Sequence, residues 1–384
     1  MIDRRSLLIK GGIGAAALSF APRMVLAKAQ TDRRFVFIIQ RGAADGLGTV
    51  AAMGDPAFAG QRGVLAADFA TGTRLDSMFT LHPAMQNFAR LYGEKQALFA
   101  HAIASPYRDR SHFDGQNVLE TGGAAAYQLK DGWLNRLLGV LPAEQAHAIA
   151  VAAAVPMALR GHNDVSSYAP SALPHANDDM LQRVTMMYDG DSQLHALWSE
   201  AMATRALTSD IGRQAGNAAV QNGSLAAKLL APANGARIAM IESYGWDTHV
   251  QQRGILGAQL RYLDGMVGAL QAGLGPVWND TTVLIATEFG RTVAINGTGG
   301  TDHGTGTSAI LVGGAVKGGR VLADWPGLNQ AVLYENRDLK PTAGLDQFIA
   351  GAVAEHFAID PVRTIGTLFP DSKGAKPMAG LVQA

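Results

Sequence analysis

The chain contains no cysteine. Disulfides, thiolate metal ligands and cysteine nucleophiles are excluded together. It also lacks an excess of either charge, with 32 Lys and Arg against 32 Asp and Glu. No basic field is present to hold nucleic acid or an anionic membrane surface, so neither is expected as a partner. No glycine fingerprint for a dinucleotide and no Walker-type loop occurs. Beyond the N-terminus, no apolar run approaches the length of a membrane span.

What is present is a chain of 384 residues, 48% of them hydrophobic, enough for a large core in one or two domains. Its start reads as a targeting segment. Arg4-Arg5 precede an apolar, Gly/Ala-rich run over residues 11–21, and Ala27-Lys28-Ala29 offers a small-x-small cleavage site. This pattern predicts a twin-arginine signal peptide over 1–29, read by the twin-arginine export machinery. The expected location is periplasmic or otherwise exported, and soluble after cleavage. An N-terminal membrane anchor is the alternative, but the run is short and glycine-rich for that role.

Residues 34–40, Arg-Phe-Val-Phe-Ile-Ile-Gln, form a continuous apolar run of strand length, as expected of a strand buried on both faces. Asp45 lies just past it. An irregular stretch, 51–80, reads as an excursion over the surface. A helix is expected from His82-Pro83 to about Tyr92, then a strand over 97–103. A helix starting near Ser111 follows, with Ser111 as its N-cap. Another helix is expected over 132–138, a strand over 148–155, a loop over 160–177 and helical chain from 178 to about 230, read as an insertion on the sheet. A strand over 236–242 then delivers Asp247-Thr248-His249, and a long amphipathic helix runs from about 252 to 274. The strand 281–287 ends in Glu288-Phe289-Gly290-Arg291. A glycine-rich loop brings Asp302-His303 before a further apolar run, 309–312, and an amphipathic helix covers 345–357.

This alternation predicts a three-layer, mostly parallel α/β sheet, with residues 30–384 in a single domain. Ligands collect beyond the carboxyl ends of parallel strands. Asp45, Ser111-His112, Asp247 with His249, and Glu288 with Asp302-His303 would then share one sheet edge. Carboxylates and imidazoles are oxygen and nitrogen donors for a divalent cation. One or two such ions suit displacement at phosphorus or sulfur. A hydroxyl heading a helix, Ser111, could act as nucleophile, and Arg291 or Arg110 could hold non-bridging oxygens. Taken singly, Ser111 also fits a plain cap, His112 a surface residue and each arginine an ion-pair partner.

The set RGAADG, SHFDGQN, DGWLNR, WDTH, TEFGRT and GGTDHGTG resembles the exported family named domain of unknown function 1501, over nearly the whole mature chain. That family is distantly similar to the alkaline phosphatase/sulfatase superfamily. The resemblance implies an alkaline phosphatase-like fold, with Asp45 as the first metal-binding acid and Ser111 at the nucleophile position. It further implies Asp247, His249, Glu288 and His303 as ligands. Phe289 stands where the superfamily commonly has a histidine, which implies one divalent ion (Zn, Mn, Mg or Ca) rather than two. Ala104 occupies the position that sulfatases convert to an aldehyde, so that mechanism is not expected. The expected activity is hydrolysis of a phosphate or sulfate ester, on a polysaccharide or another extracellular substrate. A non-catalytic exported protein that binds a ligand or assists assembly is the alternative, and phosphoryl transfer or isomerisation a third.

Overall fold

A computed structural model of the chain describes residues 32–142, 146–169, 178–188 and 218–383, with a few single positions between 191 and 202. The segment expected as a signal, most of 189–217 and the loop residues 170–177 lie outside the described residues.

The strands are β1 (Arg34–Arg41), β2 (Val50–Ala51), β3 (Thr73–Arg74), β4 (Thr80–Leu81), β5 (Ala97–Ala104), β6 (Ala148–Val151), β7 (Ser166–Ser167), β8 (Ile238–Tyr244), β9 (Thr281–Thr287), β10 (Thr307–Val312), β11 (Arg320–Leu322) and β12 (Ala343–Gly344). Among the described residues, nine of them form one sheet in the order β11-β5-β10-β9-β1-β8-β6-β7, with β12 also on β5. Every pairing in it is parallel except those of β10, which runs antiparallel to both β5 and β9.

The central strands alternate between two cores. Val36 and Ile38 of β1 face one apolar cluster, with Val283 and Ile285 of β9. Phe35, Phe37 and Ile39 face the other, with Leu284 and Ala286. Successive side chains of a strand point to opposite faces, so both faces need a helical cover. The helices Gln86–Gly93, Ala218–Leu230 and Gln252–Leu274 supply Phe88, Leu225 and Leu260 to the first cluster. Trp133–Leu138, Leu345–Phe357 and Pro361–Leu368 supply Trp133, Phe348 and Ile365 to the second. The chain is therefore a mixed α/β protein with a mostly parallel central sheet and helices on both sides. Among the described residues, no helix is long and apolar enough to cross a membrane.

Two local expectations need correction. Residues 51–80 are more than a surface excursion. They form the small sheet β2-β4-β3, and Phe58, Phe69 and Phe79 are buried in the first core. Strands of two residues leave no periodicity to read, and isolated aromatics do the anchoring. The strand expected over 148–155 stops at Val151, and a bend precedes Pro156, which has no backbone N–H to continue a ladder.

Two histidines are sealed inside this frame. Burial lowers the imidazole of His101 to about 4 and that of His356 to about 3, from an ordinary 6.5. Both stay neutral in the native state while the unfolded chain takes up protons below about 6.5, so stability falls as pH drops from there towards the native values. Each residue is expected to account for up to about 3 kcal/mol of this loss. Thermal melts between about pH 7.5 and about 4.5 should show the decline, and His356→Gln should flatten it. An equal slope in the variant would refute the assignment.

Candidate metal centre

The side chains of the candidate site gather where β1, β5, β8 and β9 end. The antiparallel direction of β10 matters here, because its entry, not its exit, lies at that edge. The loop carrying Asp302 and His303 is thereby brought to the ends of the parallel strands. Close backbone approach holds the loops together. A Cβ at Gly42, whose φ is +120°, would lie 2.6 Å from the backbone nitrogen of Asp247. One at Gly290 would lie 2.0 Å from the carbonyl oxygen of Gly306. Neither position has room for a side chain.

His112, Asp247 and His303 each place a ligand atom within 4.8 Å of the others. His112 opens the helix His112–Thr121. Its Nδ1 lies 2.9 Å from Glu288 Oε1, and its buried Nε2 has no hydrogen-bond partner among the described residues, lying 3.4 Å from Asp247 Oδ2. His303 Nδ1 lies 2.9 Å from the backbone carbonyl of Arg110. His249 Nδ1 lies 3.0 Å from Asp302 Oδ1. Each of these three partners only accepts, so each Nδ1 carries the proton. In neutral rings every Nε2 is then a lone pair. His249 Nε2 and His303 Nε2 are 3.0 Å apart, and His249 Nε2 is 3.1 Å from Asp247 Oδ1. Two lone pairs at that distance, beside a carboxylate, require a shared proton or a cation between them. An imidazole whose far nitrogen is tied to a carboxylate or carbonyl is the arrangement that orients histidine for metal binding.

The electrostatics follow from the partners. The hydrogen bond to Glu288 raises the His112 imidazole above its ordinary value despite partial burial. Burial alone would raise Glu288, but hydrogen bonds from His112, Gln116 and Gly42 outweigh it and hold the carboxylate below its usual range. Burial likewise opposes the charge of Asp247, and Arg291 overcomes it, so Asp247 is also lowered. His303 is lowered by burial and by the nearby charges of His112 and Arg291.

A family model described as "Protein of unknown function (DUF1501)" matches residues 32–365. The chain belongs to this family. No curated protein matches it. Among solved structures, Ps i-CgsB in complex with k-i-k-neocarrahexaose aligns with a TM-score of 0.39 and 12% identity, over 86% of this chain and 73% of that one. A likeness at that level carries no argument about fold or activity.

In this DUF1501 member, the residues expected as ligands or catalysts are placed as follows. Asp45 is buried and ion-paired with Arg62. It also accepts from Gln252, whose Oε1 takes hydrogen bonds from Thr248 at 2.8 Å and Thr301 at 2.6 Å. Asp45 thus braces the loops that carry Asp247 and His303 from behind. Glu288 is wholly buried behind His112. Its Oε1 also accepts from Gly42 N at 2.9 Å and Gln116 at 3.0 Å, and its Oε2 from Thr287 at 2.9 Å. Asp302 is bound to His249 and, at 3.1 Å, to Asn296. Arg291 is buried and donates to Asp247 Oδ1 at 2.6 Å and to the hydroxyl of Thr301 at 3.2 Å. The guanidinium expected to hold a ligand's oxygens is occupied by Asp247. Ser111 occupies the N-cap position, but its hydroxyl makes no capping hydrogen bond. Phe289 stacks on His112, ring centres 5.2 Å apart and planes 21° apart, and forms a wall of the site.

Gln116 was not foreseen, although its spacing of four from His112 places both on one helix face. The Arg110 carbonyl left no trace in the sequence, because any residue carries a carbonyl.

Replacing Glu288 by Gln should put an NH2 among donors that need an acceptor. The expected loss of stability is about 2 kcal/mol at neutral pH, read by chemical denaturation. A variant as stable as the parent would show that this carboxylate does not hold the site.

Proposed function

We propose that this protein is an exported, metal-dependent hydrolase of phosphate or sulfate esters on an alkaline phosphatase/sulfatase-like fold. The observation that carries the reading is the convergence of three imidazoles, each with its Nε2 freed by a fixed acceptor on Nδ1, around the carboxylate of Asp247. In this reading His112, Asp247 and His303 hold the ion, with His249 as a fourth donor. A donor set of three nitrogens and one carboxylate favours zinc over magnesium or calcium. A bound divalent ion would supply Lewis-acid charge beside the ester oxygen.

The chain's own residues do the rest. Glu288 and Asp302 fix the tautomers of His112 and His249. Arg291 keeps Asp247 ionised and takes one of its oxygens, leaving the other towards His112. Ser111, one residue before His112 and free of any capping bond, supplies the attacking hydroxyl. Its oxygen bonds to phosphorus or sulfur as the bond to the ester oxygen breaks, and the hydroxyl proton of Ser111 passes to that oxygen, which leaves as the alcohol. Water then releases the acid from Ser111. Phe289 excludes water from one side of His112.

The same Phe289 motivates a second reading, a cation-held ligand site without turnover, because its ring fills a position where another ligand would complete a second ion.

Elemental analysis of purified protein should find about one equivalent of divalent metal. Asp247→Ala and His303→Ala should lose it. On a panel of phosphate and sulfate esters that includes sugar esters, turnover should fall about a thousandfold or more in Ser111→Ala. Absence of metal from the parent protein would defeat the proposal. Bound metal without turnover on any ester would favour the second reading.

Export belongs to the same proposal and rests on Arg4-Arg5 and the run that follows. Replacing both arginines by lysine should leave the full-length protein in the cytoplasmic fraction. Unchanged delivery to the periplasm would count against the twin-arginine route.

A further inference from the structure

The turn 334–338 lies more than two hundred residues from His112 in sequence and carries none of the residues discussed so far. Glu335 and Asn336 both have left-handed backbone, φ +50° and +57°, and Arg337 N donates to the Tyr334 carbonyl at 3.2 Å. Two successive left-handed residues make a tight reversal that sets the next two side chains firmly. Those side chains are Arg337 and Asp338. Asp338 is wholly buried. Its Oδ2 accepts from Arg110 Nε at 3.0 Å, from Arg110 Nη2 at 2.8 Å and from Thr305 Oγ1 at 2.9 Å. Arg337 reaches the main-chain carbonyl of His303.

Arg110 is the link to the cluster. Its φ is +58°, a conformation that a non-glycine residue keeps only when its surroundings hold it there. The guanidinium of the same residue donates twice to Asp338, through Nε and Nη2. With the backbone turned this way, the Arg110 carbonyl meets His303 Nδ1. His303 is therefore held at two points, its ring through Arg110 and its main chain through Arg337.

We propose that Asp338, Arg110 and Arg337 form a positioning relay that aims His303 Nε2 into the cluster. Asp338 holds Arg110 in its left-handed conformation, and the Arg110 carbonyl fixes the tautomer and direction of the ring. None of the three touches the ion or the ester. The relay rests on the reading of the cluster as a cation site, but its effect on His303 can be read without any cation. Glu335 also pairs with Arg110 at 2.5 Å, yet its side chain is 51% exposed, and an exposed ion pair adds little hold.

The experiment compares the parent protein with Arg110→Gln, Asp338→Asn and Glu335→Gln. Zinc is titrated in competition with a chelating dye, and folding is checked by thermal melting. Arg110→Gln keeps the backbone carbonyl but removes its anchor, so zinc affinity should fall about 10- to 100-fold. Glu335→Gln should stay within about twofold. Imidazole 15N shifts of the metal-free proteins, assigned with His303→Gln, should show the Nδ1–H tautomer of His303 in the parent. Arg110→Gln should show a mixture. Should Asp338→Asn fail to fold, Arg110→Gln decides alone, since its side chain lies nearer the surface. Parent-like zinc affinity and an unchanged His303 tautomer in Arg110→Gln would overturn the relay. If the parent binds no zinc, the cation reading fails, and the His303 tautomer alone decides the relay.

Discussion

The buried carboxylate of Glu288 is the constraint on which the rest of the site depends. It sits buried at the end of β9, where burial works against its charge and hydrogen bonds from His112, Gln116 and Gly42 favour it, with Thr287 Oγ1 2.9 Å from its other oxygen. Those four donors come from the loop after β1, the helix after β5 and the end of β9 itself. One anion therefore ties three chain segments to one point. A buried charge left with fewer partners is costly, so the arrangement is held as a unit.

Around that anchor the centre has two shells of different character. The inner one is imidazole and carboxylate, partly open to solvent. The outer one consists of groups that face inward: Glu288, Asp302, the Arg110 carbonyl, and the Asp45–Gln252 bridge that braces two loops at once. Asp247 is the only member of the inner set whose partner is a guanidinium. Arg291 gives it a fixed positive neighbour, so a bound cation would share that carboxylate with a charge the protein already supplies.

Much of the frame was legible because its physics is local. The runs of β1 and β9 announce strands buried on both faces, and the spacing of Leu256, Leu260, Leu263 and Val267 announces the long helix. The site was legible in part. Asp247, His249 and His303 stand out as donors at strand ends, and Ser111-His112 as a helix start. The division between the residues that line the cluster and those buried behind it was not. Asp45 and Glu288 have the same composition signal as Asp247, and only burial and partner count separate them. Arg62, the residue that neutralises Asp45, lies in a stretch with no periodicity to read.

The sequence by itself determined the alternation of strand and helix, the absence of thiol chemistry, and the donors that fall at strand ends, since each depends on residue type and spacing alone. Tertiary structure decided which nitrogen of each histidine faces the centre, which acids stand behind it, and that the loop before β10 joins the others. Those outcomes depend on strand direction and on contacts between residues far apart in the chain. A carbonyl such as that of Arg110 has no residue identity to read, and it acquires a role only through the fold that turns it towards His303.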